Sequence, residues 1–277
     1  MTAAGEIILS ICIPTYNRRE RVAALVRDLL TVPGGFEICV HVDGSTDGTV
    51  EELATIASPR LVVSSSPNGG RANALLEACR QARGRFIMIF DDDDTISHDG
   101  LLIALGDCAR PLPDGAVGYV YHLIGEQGER IGDPFPMMPR SNFLALRADH
   151  GVRGDKKEIV LADALKAALY DGQRRFRRVP TSLIWSRLAI RYDVICRDIV
   201  LGRKVYLTDG MTNNISRLKA RDAYPMALLY ATHVRAFVHG RYRSLRFLAK
   251  AVAGVAVYGG RAAIGALRCL APGSMNG

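Results

Sequence analysis

Phe86–Asp94, FIMIFDDDD, sets an apolar run directly against four consecutive carboxylates. Phe86–Phe90 has the length of a buried strand and is too short for a helix. Four adjacent like charges repel, and a strand end gives no structural reason for them. A divalent cation removes the conflict. Mg²⁺ or Mn²⁺ favours hard oxygen ligands and usually shares one or two carboxylates with a substrate diphosphate. In an extended segment alternate side chains share a face, so Asp91 and Asp93 would converge on one ion. The alternatives are a solvated acidic turn, or an Asp94 that caps the next helix.

Upstream, strand and helix patterns alternate. Ile7–Ile13, Phe36–Val42 and Leu61–Val63 are short apolar runs. Between them, Val22, Leu25, Val26 and Leu29 repeat at helical spacing, preceded by Asn17 and Glu20 as a capping box. Pro33-Gly34-Gly35 ends that helix. Thr49–Ala57 reads as a helix with a Thr49/Glu52 capping box, and Gly69-Gly70 opens another through about Ala82. Strands separated by helices imply right-handed crossovers and a mostly parallel sheet. Ligands bind such sheets at the carboxyl ends of the strands. Pro14–Arg18, Asp43–Thr49 and Asp91–Asp94 each follow a strand, so they should share one sheet edge.

Downstream, Leu101–Ala109 reads as a helix, Gly118–Ile124 as a strand and Gly132–Arg140 as a Pro- and Met-rich loop. Glu158–Tyr170 reads as an amphipathic helix with Ile159, Ala162, Leu165 and Leu169 on one face. From Tyr224 onward the chain is helical, apolar and basic.

The 277 residues carry a formal charge of +8. The charge is regional: residues 1–100 sum to −5, 101–216 to +4, and 217–277 to +9, with Asp222 the one acid of the last segment. An acidic N-terminal third argues against a nucleic-acid coat. The six cysteines are scattered without a CxxC pair and read as reduced core thiols of a cytosolic protein. No basic n-region precedes Ile7–Ile13, so no signal peptide is expected. No uninterrupted apolar run of about 18 residues exists, so no ordinary spanning helix is expected.

Four stretches together resemble the family 2 glycosyltransferases of the GT-A fold. They are Ser10–Arg18 (SICIPTYNR), Val42–Thr49 (VDGSTDGT), Asn68–Asn73 (NGGRAN) and Phe90–Asp94 (FDDDD), in family order across the first hundred residues. A looser likeness to a bacterial subgroup runs through Gly154-Asp155-Lys156, Val179–Trp185 and Asp209–Asn214. The resemblance implies an α/β, Rossmann-like, mostly parallel sheet flanked by helices. It implies a glycosyltransferase domain over 1–216, followed by a basic, apolar helical segment over 217–277.

The resemblance also implies roles. Pro14 and Thr15 shape a donor-base loop. Tyr16 either packs on a flat ring or is an ordinary loop aromatic. Arg71 and Asn73, at a Gly-rich helix start, are diphosphate contacts, although Arg71 can also be a solvated helix-face residue. Asp91 to Asp93 match Asp-x-Asp, with Asp91 and Asp93 on the metal and Asp91 and Asp92 toward the nucleotide. Family members often carry two acids before Gly-Ser. Here Val42 replaces the first, and Asp43 either shifts inward or caps the Ser45–Thr49 turn. The resemblance makes UDP the family-default donor nucleotide.

The family inverts the anomeric centre with a carboxylate base. The subgroup places a Glu where this chain has Thr181 and Ser182. Asp155 is the remaining candidate, ahead of Asp163 and Asp209, and its alternative is local pairing with Lys156 or Lys157. Lys156 and Trp185 are expected on the acceptor side. Gln173–Arg178 is either an anion-attracting patch or a solvated charge run. The basic tail suits an anionic membrane interface, or helices packed on the catalytic domain.

The expected protein is thus a cytoplasmic, membrane-peripheral enzyme. It would move a sugar from a nucleotide-diphosphate donor, with Mn²⁺ or Mg²⁺, to a glycan or lipid-linked acceptor in surface polysaccharide assembly. A non-catalytic nucleotide-sugar binder and a nucleotidyltransferase on a similar fold are the alternatives.

Overall fold

Each apolar run ahead of the aspartates forms a strand in the computed structural model, which describes residues 6–169, 176, 179–205 and 223–270. In chain order the elements are β1 (Leu9–Thr15), α1 (Arg19–Thr31), β2 (Phe36–Asp43), α2 (Thr49–Ala54), β3 (Leu61–Ser66), α3 (Arg71–Gln81) and β4 (Phe86–Ile89). There follow β5 (Thr95–Ile96), α4 (His98–Cys108), β6 (Ala116–Ile124), β7 (Arg140–Ser141), α5 (Phe143–Ala148), β8 (Lys156–Leu161) and α6 (Ala162–Ala168). Then come α7 (Ser182–Ala189), β9 (Asp193–Arg203), α8 (Ala223–Val238) and α9 (Leu245–Leu270).

One sheet runs β3-β2-β1-β4-β8-β6-β9-β5, with β7 beside β9. Strands β1 to β4 are parallel, as the alternation requires. β8 lies antiparallel between β4 and β6, and β9 is parallel to β6. The carboxyl ends of β1, β2, β4, β6 and β9 therefore share one edge with the start of β8. Side chains alternate across the sheet into two cores. Ile11, Ile13, Met88 and Ile159 pack with α1 and α4. Cys12, Ile87, Ile89 and Val160 pack with α3, α5, α6 and α7. Cys12, Cys39, Cys79 and Cys108 are buried free thiols.

Three local expectations are corrected. Glu158–Tyr170 is not one helix: Lys156–Leu161 is strand, and helix begins only at Ala162. Ile159 and Val160 are β-branched and pair with both β4 and β6, and two ladders outweigh a helical periodicity of so few residues. Asn17 does not cap α1. Its φ of 49° turns it toward the next loop, where its Oδ1 accepts from Thr46 N at 2.8 Å. Asp47 supplies the missing acceptor, taking the Arg19 N–H at 3.0 Å. Nor does the Thr49/Glu52 box form, because Gly48 is the N-cap of α2 and Glu52 pairs with Arg27 at 2.6 Å.

The C-terminal helices pack back on the domain. Met226 and Leu229 of α8 join Leu183 of α7. Arg241 anchors the α8–α9 turn, donating to the Ala189 carbonyl at 2.6 Å and the Tyr192 carbonyl at 2.9 Å. Against the expectation of no spanning helix, Leu245–Ile264 is by length and composition apolar enough to cross a membrane, its cations interrupting the run without lowering its mean hydropathy enough to exclude it.

Candidate functional site

The aspartate run leaves β4 as a tight turn, with Asp94 N donating to the Asp91 carbonyl at 3.3 Å. Strand alternation therefore does not choose which carboxylates meet. Oxygens of Asp91, Asp93 and Asp94 lie within 4.8 Å of one another. Asp92 turns the other way. It accepts from Thr15 Oγ1 at 2.6 Å and from Arg18 Nη1 at 2.6 Å, and Arg18 also reaches Asp93 at 2.8 Å. Asp94 does not cap α4; Ser97 does, accepting from Gly100 N at 3.2 Å.

Cations surround the run. Burial alone would raise the Asp91 pKa, but the Arg71 guanidinium, an ion-pair partner, and Lys157 hold it well below the usual carboxylate range. Burial pushes Asp92 up, and pushes Asp94 up to about 6. Lys157 donates to the Ile89 carbonyl at 3.3 Å and lies over the Phe90 ring. Asp94 Oδ1 accepts from Val205 N at 3.2 Å, while its buried Oδ2 has no hydrogen-bond donor among the described residues. A buried, unused carboxylate oxygen beside two further carboxylates is a donor set suited to Mg²⁺ or Mn²⁺.

The glycine loop is held from below. Asp43 accepts from Gly69 N at 2.7 Å and Gly70 N at 2.9 Å, one bond to each oxygen. It does not cap the Ser45–Thr49 turn, because Asp47 takes the Thr49 N–H. Val42 is fully buried. Asn73 Nδ2 returns to the Gly69 carbonyl at 2.6 Å, and its buried Oδ1 has no partner among the described residues. Arg71 bridges two elements, pairing with Asp91 and donating to Thr181 Oγ1 at 3.1 Å. On the β1 side Pro14 and Thr15 are buried and Tyr16 is 48% exposed.

Asp155 stands at the same edge, just before β8. It pairs with neither Lys156 nor Lys157 but with Lys204 beyond β9, at 3.0 Å. The pKa of Lys204 is held up, against burial, by Asp155, Asp94 and Asp91. Lys156, expected on the acceptor side, is buried, and its ammonium is taken up by the carbonyls of Ile131 at 2.9 Å and Arg153 at 3.3 Å. Trp185 packs on Phe143, ring centroids 5.3 Å apart, against the core. Asp163 follows β8, whose last residue Leu161 pairs with Phe86 at the start of β4, so it lies at the opposite edge. Asp209–Asn214 and the arginines of Gln173–Arg178 lie outside the described residues. Phe176 of that run stacks on Tyr224 at 5.7 Å.

Sequence reasoning passed over Arg18, Asp94, Lys157 and Lys204 as site residues. Arg18 had a signal, since it closes the Pro14–Arg18 cluster. Lys204 had none, because only the β6–β9 pairing brings it to Asp155.

Comparison with known proteins gives these residues a context. The chain is 33% identical over 151 residues to a chondroitin synthase of Pasteurella multocida, covering 53% of this chain and 16% of that protein. It is 32% identical over 104 residues to the abequosyltransferase RfbV of Salmonella typhimurium, covering 35% and 31%. The matches thus span less than a third of either relative. In fold it resembles S. aureus TarS 1-349 solved with UDP-GlcNAc, with a TM-score of 0.59 and 18% identity over 83% of this chain and 73% of that one. It also resembles the mannosyltransferase PcManGT of Pyrobaculum calidifontis solved with GDP-Man and Mn2+, with a TM-score of 0.52 and 17% identity over 97% and 82%. These likenesses establish the GT-A architecture. The family model described as glycosyl transferase family 2 matches residues 10–179, the segment that carries the four stretches from Ser10 to Asp94 and Asp155, and the chain belongs to that family.

Proposed function

We propose that this protein is a metal-dependent, inverting glycosyltransferase. Its donor would be a nucleotide-diphosphate sugar, UDP-linked by default, and its acceptor a glycan or lipid-linked glycan of a bacterial surface polysaccharide. One observation carries the reading. Four segments far apart in the chain converge at one sheet edge, where Thr15 and Arg18 meet Asp92, Asp43 holds Gly69-Gly70, and Arg71 meets Asp91. The solved complexes of TarS with UDP-GlcNAc and of PcManGT with GDP-Man and Mn2+ support it by analogy of fold.

Asp91, Asp93 and Asp94 would hold the divalent cation. When bound, the ion neutralises charge developing on the departing diphosphate. The residues of the chain supply the rest. Arg71, at the start of α3 and just after the Gly69-Gly70 turn that Asp43 holds, offers guanidinium N–H donors to phosphate oxygens. Pro14, Thr15 and Tyr16 form the floor for the base, and Asn73 Oδ1 is an acceptor in reserve for a ligand hydroxyl or amide. Asp155 takes the proton of the acceptor hydroxyl. The hydroxyl oxygen bonds to the anomeric carbon as the bond to the diphosphate oxygen breaks, and its electron pair stays on the nucleoside diphosphate. Lys204, ion-paired with Asp155, fixes its position. Buried free thiols support a reducing, cytoplasmic setting.

The test is calorimetric titration of UDP with and without Mn²⁺, followed by turnover on a panel of nucleotide sugars. Asp93→Ala should abolish metal-dependent nucleotide binding; unchanged binding removes the metal assignment. Asp155→Asn should keep donor binding and lose turnover; surviving turnover places the base elsewhere.

A further inference from the structure

The outward face of α9 is used by none of the chemistry above. One side of the helix packs on α8. Phe247 lies against His233, with centroids 5.2 Å apart, and Tyr258 stacks on Tyr230 at 5.7 Å. Gly254 sits between them, where an added Cβ would come within 2.3 Å of the Tyr230 ring. Residues 247, 251, 254 and 258 fall on one face of a helix of 3.6 residues per turn. Directly opposite lie Leu245, Ala249, Val252 and Ala256, all exposed, with Leu245 at 71% and Val252 at 52%. Arg246, Lys250 and Arg261 line one flank of the helix between that stripe and the α8-packed face, Arg261 over the Tyr258 ring at 5.7 Å, with the exposed Val257 and Ile264 beside them, and α9 contains no Asp or Glu.

We infer that α9 docks on an anionic phospholipid bilayer, lying along its surface. An exposed apolar stripe bordered by one row of cations, with no acid on the helix, matches a negatively charged interface of acyl chains and headgroups. A spanning arrangement conflicts with the structure, because it would take Arg246 and Lys250 and the α8 contacts of Tyr258 and Phe247 into hydrocarbon. A second copy of the chain is disfavoured by charge, since a symmetric pairing sets the same basic border against itself. α9 is antiparallel to α8, pairing Phe247 with His233 and Tyr258 with Tyr230. Its later turns therefore approach the start of α7, where Thr181 accepts from Arg71, because α8 begins with Met226 packed on Leu183 and ends toward Arg241, which pairs with Asp193 at the start of β9. Docking along α9 thus holds the site beside the bilayer surface, where a lipid-linked acceptor would present its glycan.

Co-sedimentation with vesicles, without nucleotide, tests this apart from the donor reading. The full chain should bind vesicles of phosphatidylcholine mixed with phosphatidylglycerol and not phosphatidylcholine alone, and high salt should release it. R246E/K250E/R261E should lower binding by at least ~100-fold with UDP binding unchanged. If that variant fails to fold, K250Q/R261Q replaces it, with an expected loss of roughly 10-fold or more. No binding to the mixed vesicles overturns the proposal. So does salt-insensitive binding, or a dimer in vesicle-free solution that Val252→Asp dissociates.

Discussion

Arg71 joins Asp91 to Thr181. Its guanidinium is ion-paired with the Asp91 carboxylate and donates to Thr181 Oγ1 at 3.1 Å, linking the aspartate turn to the start of α7. The position where an acid was expected from the family resemblance is thus held by a hydroxyl that accepts from the same arginine. A carboxylate there would compete with Asp91 for Arg71.

Arg71→Met should leave Asp91 without its main counter-charge and the diphosphate without its fork. A hydrogen bond to a charged group contributes about 1.5–3 kcal/mol, so UDP affinity should fall roughly 10- to 100-fold. Calorimetric titration reads this directly; an unchanged affinity would mean that Arg71 serves only packing.

Asp43→Ala removes the acceptor of two partly buried N–H groups, Gly69 and Gly70. Each orphaned donor costs about 1–3 kcal/mol. We expect urea denaturation to report a loss of about 2–4 kcal/mol, and nucleotide affinity to drop as the loop loosens. Full stability in the variant would show that water replaces the carboxylate.

Gly132 and Gly154 cross backbone to backbone just before Asp155, with φ values of 70° and 79°. A Cβ on Gly132 would lie 2.1 Å from the Arg153 carbonyl oxygen, and one on Gly154 would lie 2.5 Å from Gly132 Cα. Neither contact can relax through a side chain. Gly154→Ala should destabilise by about 2–4 kcal/mol and depress turnover more than UDP affinity, since it moves Asp155 rather than the glycine loop. A variant with wild-type melting and turnover would refute the crossing as a constraint.

His233, on α8, sits between Ser186 of α7 and the Phe247 ring of α9, and burial pushes its imidazole down to about 4. The unfolded chain therefore binds the proton more readily below the ordinary value near 6.5. Its contribution to stability is complete above that pH and is lost as pH falls toward about 4. Chemical denaturation across this window should show weakening toward acid, and His233→Gln should flatten that part of the profile. An identical slope in the variant would assign the acid sensitivity elsewhere.

Asp94→Asn should weaken Mn²⁺ binding by roughly 10-fold or more, read by electron paramagnetic resonance without substrate. Asp92→Asn should leave that binding nearly intact while lowering stability, because Asp92 faces Thr15 and Arg18. Equal effects of the two would undo the division of roles within the run.

The sequence by itself determined the parallel half of the sheet and the shared edge. Strand length, helical spacing and the polar residues after each strand are local properties, and the right-handed crossover leaves few ways to connect them. Motif order then placed Thr15, Asp43, Arg71 and Asp91 at that edge. The tertiary structure decided what local periodicity cannot carry. Ile159-Val160 became strand because β4 and β6 lie on either side. The aspartate run became a turn, which moved Asp94 into the cluster and sent Asp92 to Thr15, 77 residues away. Asp155 found Lys204 and Arg71 found Thr181, pairs that spacing along the chain cannot reveal. Charges at such separations meet only after the sheet has formed, so the partner of each carboxylate is a property of strand order rather than of its neighbours in sequence.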